Sequence, residues 1–122
     1  MSKYKILIVD DDEDIRHLLK YNLDKEGFTT NIASNGFECL EIIKNYHPDL
    51  ILLDVMMPNM DGIEVCEKIK SDPTNKNIFI CFLTARNEDY SQIAGLEAGA
   101  DDYVAKRVLI KTISTNPTSK SK

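Results

Sequence analysis

Short apolar runs alternate with stretches of helical periodicity along the chain, a pattern that predicts a parallel sheet with helices on both faces. The first run, Ile6-Leu7-Ile8-Val9, lies in a strand over about 5–10. Ile15, Leu18, Leu19 and Leu23 then share one face of a helix that Gly27 is positioned to cap. Residues 28–33 make a weaker strand, and Thr29, Thr30 and Asn31 suit it to a sheet edge. Gly36 opens a second helix carrying Phe37, Leu40 and Ile43, and Pro48 stops anything from continuing past it. The third strand, 49–54, is apolar throughout its interior, as a strand covered on both faces requires. A loop rigidified by Pro58 leads to a helix bearing Ile63, Cys66 and Ile69. Residues 78–83 form the fourth strand, a helix from Asn87 to Ala98 ends at Gly99, and Asp102 to Ala105 give the fifth strand. Arg107 to Ile113 is a short apolar stretch. Residues 114–122 read as a disordered tail, which leaves one domain over 1–113.

The strands share a way of ending. Ile6-Leu7-Ile8-Val9 empties into Asp10, Asp11 and Asp12; Leu50-Ile51-Leu52-Leu53 ends in Asp54; the fourth strand ends in Thr84 and the fifth in Lys106. Any one of these is as well explained by a polar residue that begins a loop. Together they describe one site, because ligands of open parallel sheets bind outside the carboxyl ends of the strands. Carboxylates gathered there repel one another unless protonated or bridged by a cation. Magnesium suits an all-oxygen set that keeps room for phosphoryl oxygens. The absence of histidine and cysteine from the set argues against zinc. The residues therefore suggest a magnesium site beside a phosphorylatable carboxylate. His17 and His47 read as solvated surface residues.

Composition narrows the partners. With 122 residues, 43% hydrophobic and 29% charged, the chain has the makeup of a single soluble globular domain. A net charge of −5 argues against direct binding to nucleic acid or an anionic membrane. No apolar run approaches the ~18 residues of a membrane span, and the first one is too short for a signal peptide. Cys39, Cys66 and Cys81 each fall inside an apolar pattern, so buried free thiols and a cytoplasmic location are expected.

Four motifs carry a resemblance. They are Ile8-Val9-Asp10-Asp11-Asp12, Leu53-Asp54-Val55-Met56-Met57-Pro58-Asn59-Met60-Asp61-Gly62, Leu83-Thr84-Ala85-Arg86, and the stretch from Gly95 to Lys106. In this order and spacing the chain resembles the receiver domain of two-component response regulators over residues 3–106. The resemblance implies a flavodoxin-like, doubly wound five-stranded sheet of order 2-1-3-4-5. It implies a regulatory switch rather than an enzyme, with Asp54 accepting a phosphoryl group from a sensor histidine kinase or phosphotransfer protein. Asp11 would ligate Mg2+ directly, Asp10 through a water, with Asp54 and the backbone carbonyl of Met56 completing the protein's share. Thr84 and Lys106 would hold the phosphoryl oxygens, and Tyr103 would swing inward as Thr84 moves, although an ordinary half-buried aromatic is the plainer account of Tyr103. Asp12 is read as the start of the first helix, where its charge suits the dipole. Met56 and Arg86, two residues past Asp54 and Thr84, flank the approach of a hydrolysing water, so a long-lived phosphoryl group is expected.

The chain departs from the family at its carboxyl end. Receivers normally follow the lysine with proline, usually through a cis bond, whereas Lys106 precedes Arg107. A cis bond before a non-proline residue costs ~2.5–4 kcal/mol rather than ~0.5–1. A trans bond and a re-aimed Lys106 are therefore expected. Only Arg107 to Ile113 stand between the lysine and the tail, so a loop is missing and the last helix is shortened to about two turns or rearranged. The lost apolar anchors, worth ~1.5–3 kcal/mol each, would leave surface that invites association. This predicts a homodimer or segment-exchanged dimer and a weak switch. The alternative function is a degraded or engineered receiver acting as an interaction or scaffold module with an impaired switch. An aspartyl-phosphate phosphatase would need an acid two residues past Asp54, where this chain has Met56.

Overall fold

The computed structural model describes residues 4–85 and 97–114. Strands β1 (Lys5–Val9), β2 (Thr29–Ala33), β3 (Leu50–Asp54), β4 (Phe79–Thr84) and β5 (Asp102–Ala105) form one sheet of order β2-β1-β3-β4-β5, parallel throughout. Helices α1 (Glu13–Lys25), α2 (Gly36–Tyr46), α3 (Gly62–Lys70) and α4 (Lys106–Ser114) cover it. The expected helix from Asn87 to Ala98 lies outside the described residues except for its end, as does the tail beyond Ser114. This is the expected doubly wound architecture, with element ends shifted by a residue.

The period of two along each strand sorts the core into two layers. Leu7, Val9, Ile51, Leu53, Ile80 and Phe82 face one way and meet Cys39 and Ile43 of α2 and Val65, Cys66 and Ile69 of α3. Ile6, Ile8, Leu52 and Leu83 face the other way and meet Leu19 of α1, with Ile15, Leu23, Leu109 and Ile110 packed around them. Both faces are covered, which is why the central strands read as unbroken apolar runs. The polar strand β2 does lie at an edge, half-buried along most of its length.

The starts of α1, α2 and α3 are each held by a local signal. Asp12 caps α1, its carboxylate accepting from the backbone N–H of Asp14 at 2.9 Å and of Ile15 at 3.3 Å. Asn35 caps α2 and Asp61 caps α3 in the same way. Gly27 follows α1 at φ 99°, in the left-handed region that ends helices without steric cost. Cys39 and Cys66 are buried as expected, but Cys81 is only half-buried, at the margin of the layer that α1 and α4 cover. Burial pushes the Cys39 thiol up to about 12 and those of Cys66 and Cys81 up to about 11, so all three are held as thiols.

The carboxyl end departs from the family in the manner expected. The helix α4 has nine residues and begins directly at Lys106, one residue after β5 ends. It packs on α1 through Leu109 and Ile110. Among the described residues there is no cis peptide bond, so Lys106 and Arg107 are joined in trans.

The loop from β3 to α3 depends on one close approach. A Cβ added at Gly62 would lie 2.2 Å from the carbonyl oxygen of Asp54 and 3.0 Å from the Val55 Cα, both backbone atoms that cannot rotate away. Gly62 instead donates its N–H to the Val55 carbonyl at 2.9 Å, which folds the loop back onto the end of β3. Gly62→Ala should therefore cost about 1–3 kcal/mol of stability, the range for overpacking. Urea unfolding checks this, and an unchanged midpoint would refute the steric account.

Candidate functional site at the carboxyl edge of the sheet

The residues that end the strands converge at one edge. Asp10 follows β1, Asp54 closes β3, Thr84 closes β4, and Lys106 follows β5 as the first residue of α4. Asp10, Asp54 and Thr84 are buried, at 0%, 2% and 4% exposure, whereas Asp11 is exposed. Oxygens of Asp10, Asp11 and Asp54 lie within 4.8 Å of one another. The Lys106 ammonium lies 3.0 Å from Asp10 Oδ2 and 3.3 Å from Asp54 Oδ1. The expected re-aiming of Lys106 is thus not found. The trans bond fixes one dihedral, while the side chain's own four torsions and the start of a helix at this residue still bring the ammonium in.

Backbone groups fix the two buried carboxylates. Asp10 Oδ1 accepts from the N–H of Asp12 at 2.9 Å, and Asp54 Oδ1 from that of Met56 at 3.3 Å. Asp54 Oδ2 and Thr84 Oγ1 are buried with no hydrogen-bond partner. Buried polar atoms are rarely left so, and such pairs mark where a ligand completes the site. The acids supply only oxygen donors, which fits a hard cation such as Mg2+, and Asp54 Oδ2 has a free valence to offer it. The Thr84 hydroxyl is likewise free to donate to an added oxygen.

The electrostatics follow from burial and crowding. Burial pushes the Asp54 carboxyl up to about 7, and the neighbouring charge of Asp10 adds to it. Lys106 opposes this only in part, and a carboxyl hydrogen bond with Asp11 raises it further. Burial pulls the Lys106 ammonium down, but its hydrogen bond to Asp10 and the charges of Asp54 and Asp10 outweigh that, so the net shift is upward.

Two expected members are exposed. Tyr103 is on the edge strand β5, 36% exposed, with its backbone N–H given to Asp102. Met56 is 70% exposed, with its backbone N–H given to Asp54. Arg86 lies outside the described residues. His17 and His47 are exposed, as expected, and neither is among the clustered ligands: His17 lies within α1 and His47 at the far end of α2, in the left-handed conformation. One residue went unnoticed in the sequence. Arg16 donates from Nη1 to the Asp10 carbonyl at 2.8 Å and so ties α1 to the turn carrying the acids. A cation four residues into an acid-rich helix start was the available signal.

The raised Asp54 has a consequence for stability without added metal. The folded protein holds this proton more tightly than the unfolded chain. The group's contribution is therefore present in full below about pH 4 and is lost as the pH rises through about 7. Asp54→Asn removes the charge, so it should raise stability at pH 8 in chelator by on the order of 1 kcal/mol or more and add little at pH 4. Urea titrations of both proteins at the two pH values check it. A gain that is equal at both would remove Asp54 as its source.

A family model for the response regulator receiver domain matches residues 6–116. The chain is 48% identical over 103 residues to the alkaline phosphatase synthesis transcriptional regulatory protein PhoP of Bacillus subtilis, covering 84% of this chain and 42% of that protein. It is 45% identical over 102 residues to the response regulator MprA of Mycobacterium sp. (strain KMS), covering 84% and 44%. The chain thus spans less than half the length of these curated relatives. Among solved structures, the N-terminal domain of a response regulator receiver protein from Methanoculleus marisnigri JR1 matches with a TM-score of 0.79 and 35% identity, over 95% of this chain and 98% of that one. Chemotaxis protein CheY4 of Vibrio cholerae matches at 0.83 with 27% identity, over 93% and 98%. Sheet order, site and relatives agree: the chain belongs to the response regulator receiver domain family of two-component systems.

Proposed function

We propose that the chain is a phosphorylation-controlled switch in which Asp54 accepts a phosphoryl group from a phosphohistidine on a sensor kinase or phosphotransfer protein. The observation that carries this reading is Asp54 Oδ2, buried and unpartnered at the meeting point of Asp10, Asp11 and Lys106. An Asp54 oxygen forms the bond to phosphorus as the P–N bond breaks, and the departing imidazole keeps the electron pair and takes up a proton. Lys106 already stands 3.3 Å from Asp54, so its ammonium transfers to a phosphoryl oxygen by a small shift. The Thr84 hydroxyl turns onto another, which satisfies it. Asp10, Asp11, Asp54 and the Met56 carbonyl would hold Mg2+. When bound, the ion offsets the negative charge of the carboxylates and of the transferring group. Tyr103, exposed on β5, is the aromatic that repacks in response. The reading as an impaired scaffold rested on the altered carboxyl end, with a re-aimed Lys106 and a shortened last helix; the contact of Lys106 with both carboxylates supports the working switch over it.

Asp54→Asn should abolish uptake of acid-labile phosphate from acetyl phosphate in magnesium. Undiminished uptake would defeat the assignment. Asp11→Ala should weaken Mg2+ binding by on the order of tenfold or more, since even groups behind the ligands typically cost ~10–100-fold. An unchanged affinity by titration would show that Asp11 is no ligand.

The lifetime of the phosphoryl group is set by what stands over it. The Met56 side chain is apolar and exposed above Asp54, and it cannot orient an attacking water. Met56→Asn should speed decay of the phosphorylated form by about threefold to tenfold, the low end of what one positioning group supplies in acid–base catalysis. Decay followed by gel shift or radiolabel at an unaltered rate would exclude this role.

A further inference from the structure

The last helix carries a charge conflict. Helix α4 follows β5 with no intervening residue, so its first turn opens at the carboxyl edge of the sheet. The other three helices are capped by Asp12, Asn35 and Asp61, whose side chains accept from first-turn N–H groups. The residue before α4 is Ala105, which has no side-chain acceptor, and the first turn contains no acid. It begins instead with two cations, Lys106 and Arg107, where the backbone N–H groups already carry partial positive charge. That arrangement is unfavourable unless an anion sits there.

Lys106 is answered by Asp10 and Asp54. Arg107 is exposed and has no ion-pair or hydrogen-bond partner among the described residues. Helical side chains lean toward the helix N-terminus, so an arginine at the second position of α4 can reach back to the same edge of the sheet. One donor there calls for an anion's oxygen independently of the helix. It is the Thr84 hydroxyl at the end of β4, in a residue 4% exposed, and it lacks a partner.

We propose that Arg107 and the open first turn of α4 form a second anion contact beside Lys106, occupied by the phosphoryl dianion of the incoming donor, and that Arg107 thereby sets donor affinity. The inference rests on the reading of Asp54 as acceptor. A guanidinium stays charged at every relevant pH and offers paired N–H donors matched to two phosphoryl oxygens. In the transfer, the Asp54–phosphorus bond forms as the donor's P–O or P–N bond breaks. The leaving carboxylate keeps the electron pair, or the leaving nitrogen keeps it and gains a proton. Arg107 makes no bond in that step. It holds the dianion before and during transfer alike, so it acts on half-saturation more than on the maximal rate.

Two donors of different leaving group test this: acetyl phosphate and phosphoramidate, each varied in concentration with magnesium, on the unaltered chain and on Arg107→Gln and Arg107→Lys. The position is exposed, and both replacements are good helix formers. Arg107→Gln should raise the half-saturating concentration of both donors by about threefold to tenfold, with the maximal rate within about twofold, and added salt should narrow the gap. Arg107→Lys should recover part of the loss. Equal half-saturation for Arg107→Gln and the unaltered chain, with both phosphorylated, overturns this inference and leaves Asp54 standing. An effect confined to one donor also overturns it, because the contact would then be to the leaving group. If the unaltered chain takes up no phosphate from either donor, the reading of Asp54 falls and this inference with it.

Discussion

One ammonium between two buried carboxylates holds this domain's working end together. Neighbouring strands lie about 4.8 Å apart, so the end of β5 is roughly two spacings from the end of β3 and three from β1. Only a long side chain crosses that distance, and it must do so where charge is costly to bury. Lys106 does so by being the first residue of a helix set against the sheet, and its Nζ reaches Asp54 and Asp10 together. Without it, Asp10 and Asp54 would be two like charges out of water with no counterion. The sheet order, the start of α4 and the packing of α4 on α1 are all conditions for that one contact.

The same contact leaves the site short of charge balance. One lysine faces three carboxyl groups whose oxygens lie within 4.8 Å, and the chain tolerates the excess by raising Asp54 toward neutrality. Elsewhere the fold obeys its local rules closely: capped helix starts, apolar strands covered on both faces, a glycine where backbone meets backbone. Unmet buried polar groups gathered at one edge are how a functional site reads in an otherwise consistent sequence. The unpartnered Asp54 Oδ2 and Thr84 Oγ1 belong to that edge and to no structural network.

The strands, their faces and the convergence of Asp10, Asp54, Thr84 and Lys106 were legible because a period of two and a polar strand end are local signals that the sheet only has to align. The capping role of Asp12 was legible for the same reason. What escaped depends on distance in space. Arg16 meets the Asp10 carbonyl only once α1 has docked, and a cation in an acid-rich helix start hints at a partner without saying which atom it is. Cys81 looked as buried as Cys39, but it lies at the margin of the layer that α1 and the short α4 cover, where packing is incomplete. The expected re-aiming of Lys106 failed through reasoning from one peptide bond. A missing proline does fix that bond as trans, yet the side-chain torsions and an early helix start absorb the difference.

That early start alters how a signal leaves the site. A lysine carried on a loop can follow a phosphoryl oxygen while its helix stays put. Here the lysine is the helix, and Leu109 and Ile110, one turn on, are packed into the layer that α1 covers. Any backbone shift of Lys106 must fray the first turn of α4 or tilt the helix against α1. Moving a two-state equilibrium from 1:99 to 99:1 takes ~5.5 kcal/mol of differential binding. So short a helix gains its stability from packing rather than from its own hydrogen bonds, so a shift of Lys106 is felt at the contacts of α4 with α1. The seam between α1 and α4 is therefore the element best placed to have two arrangements, and it lies one residue from the chemistry. Tyr103 is exposed on the edge strand β5, which runs directly into α4.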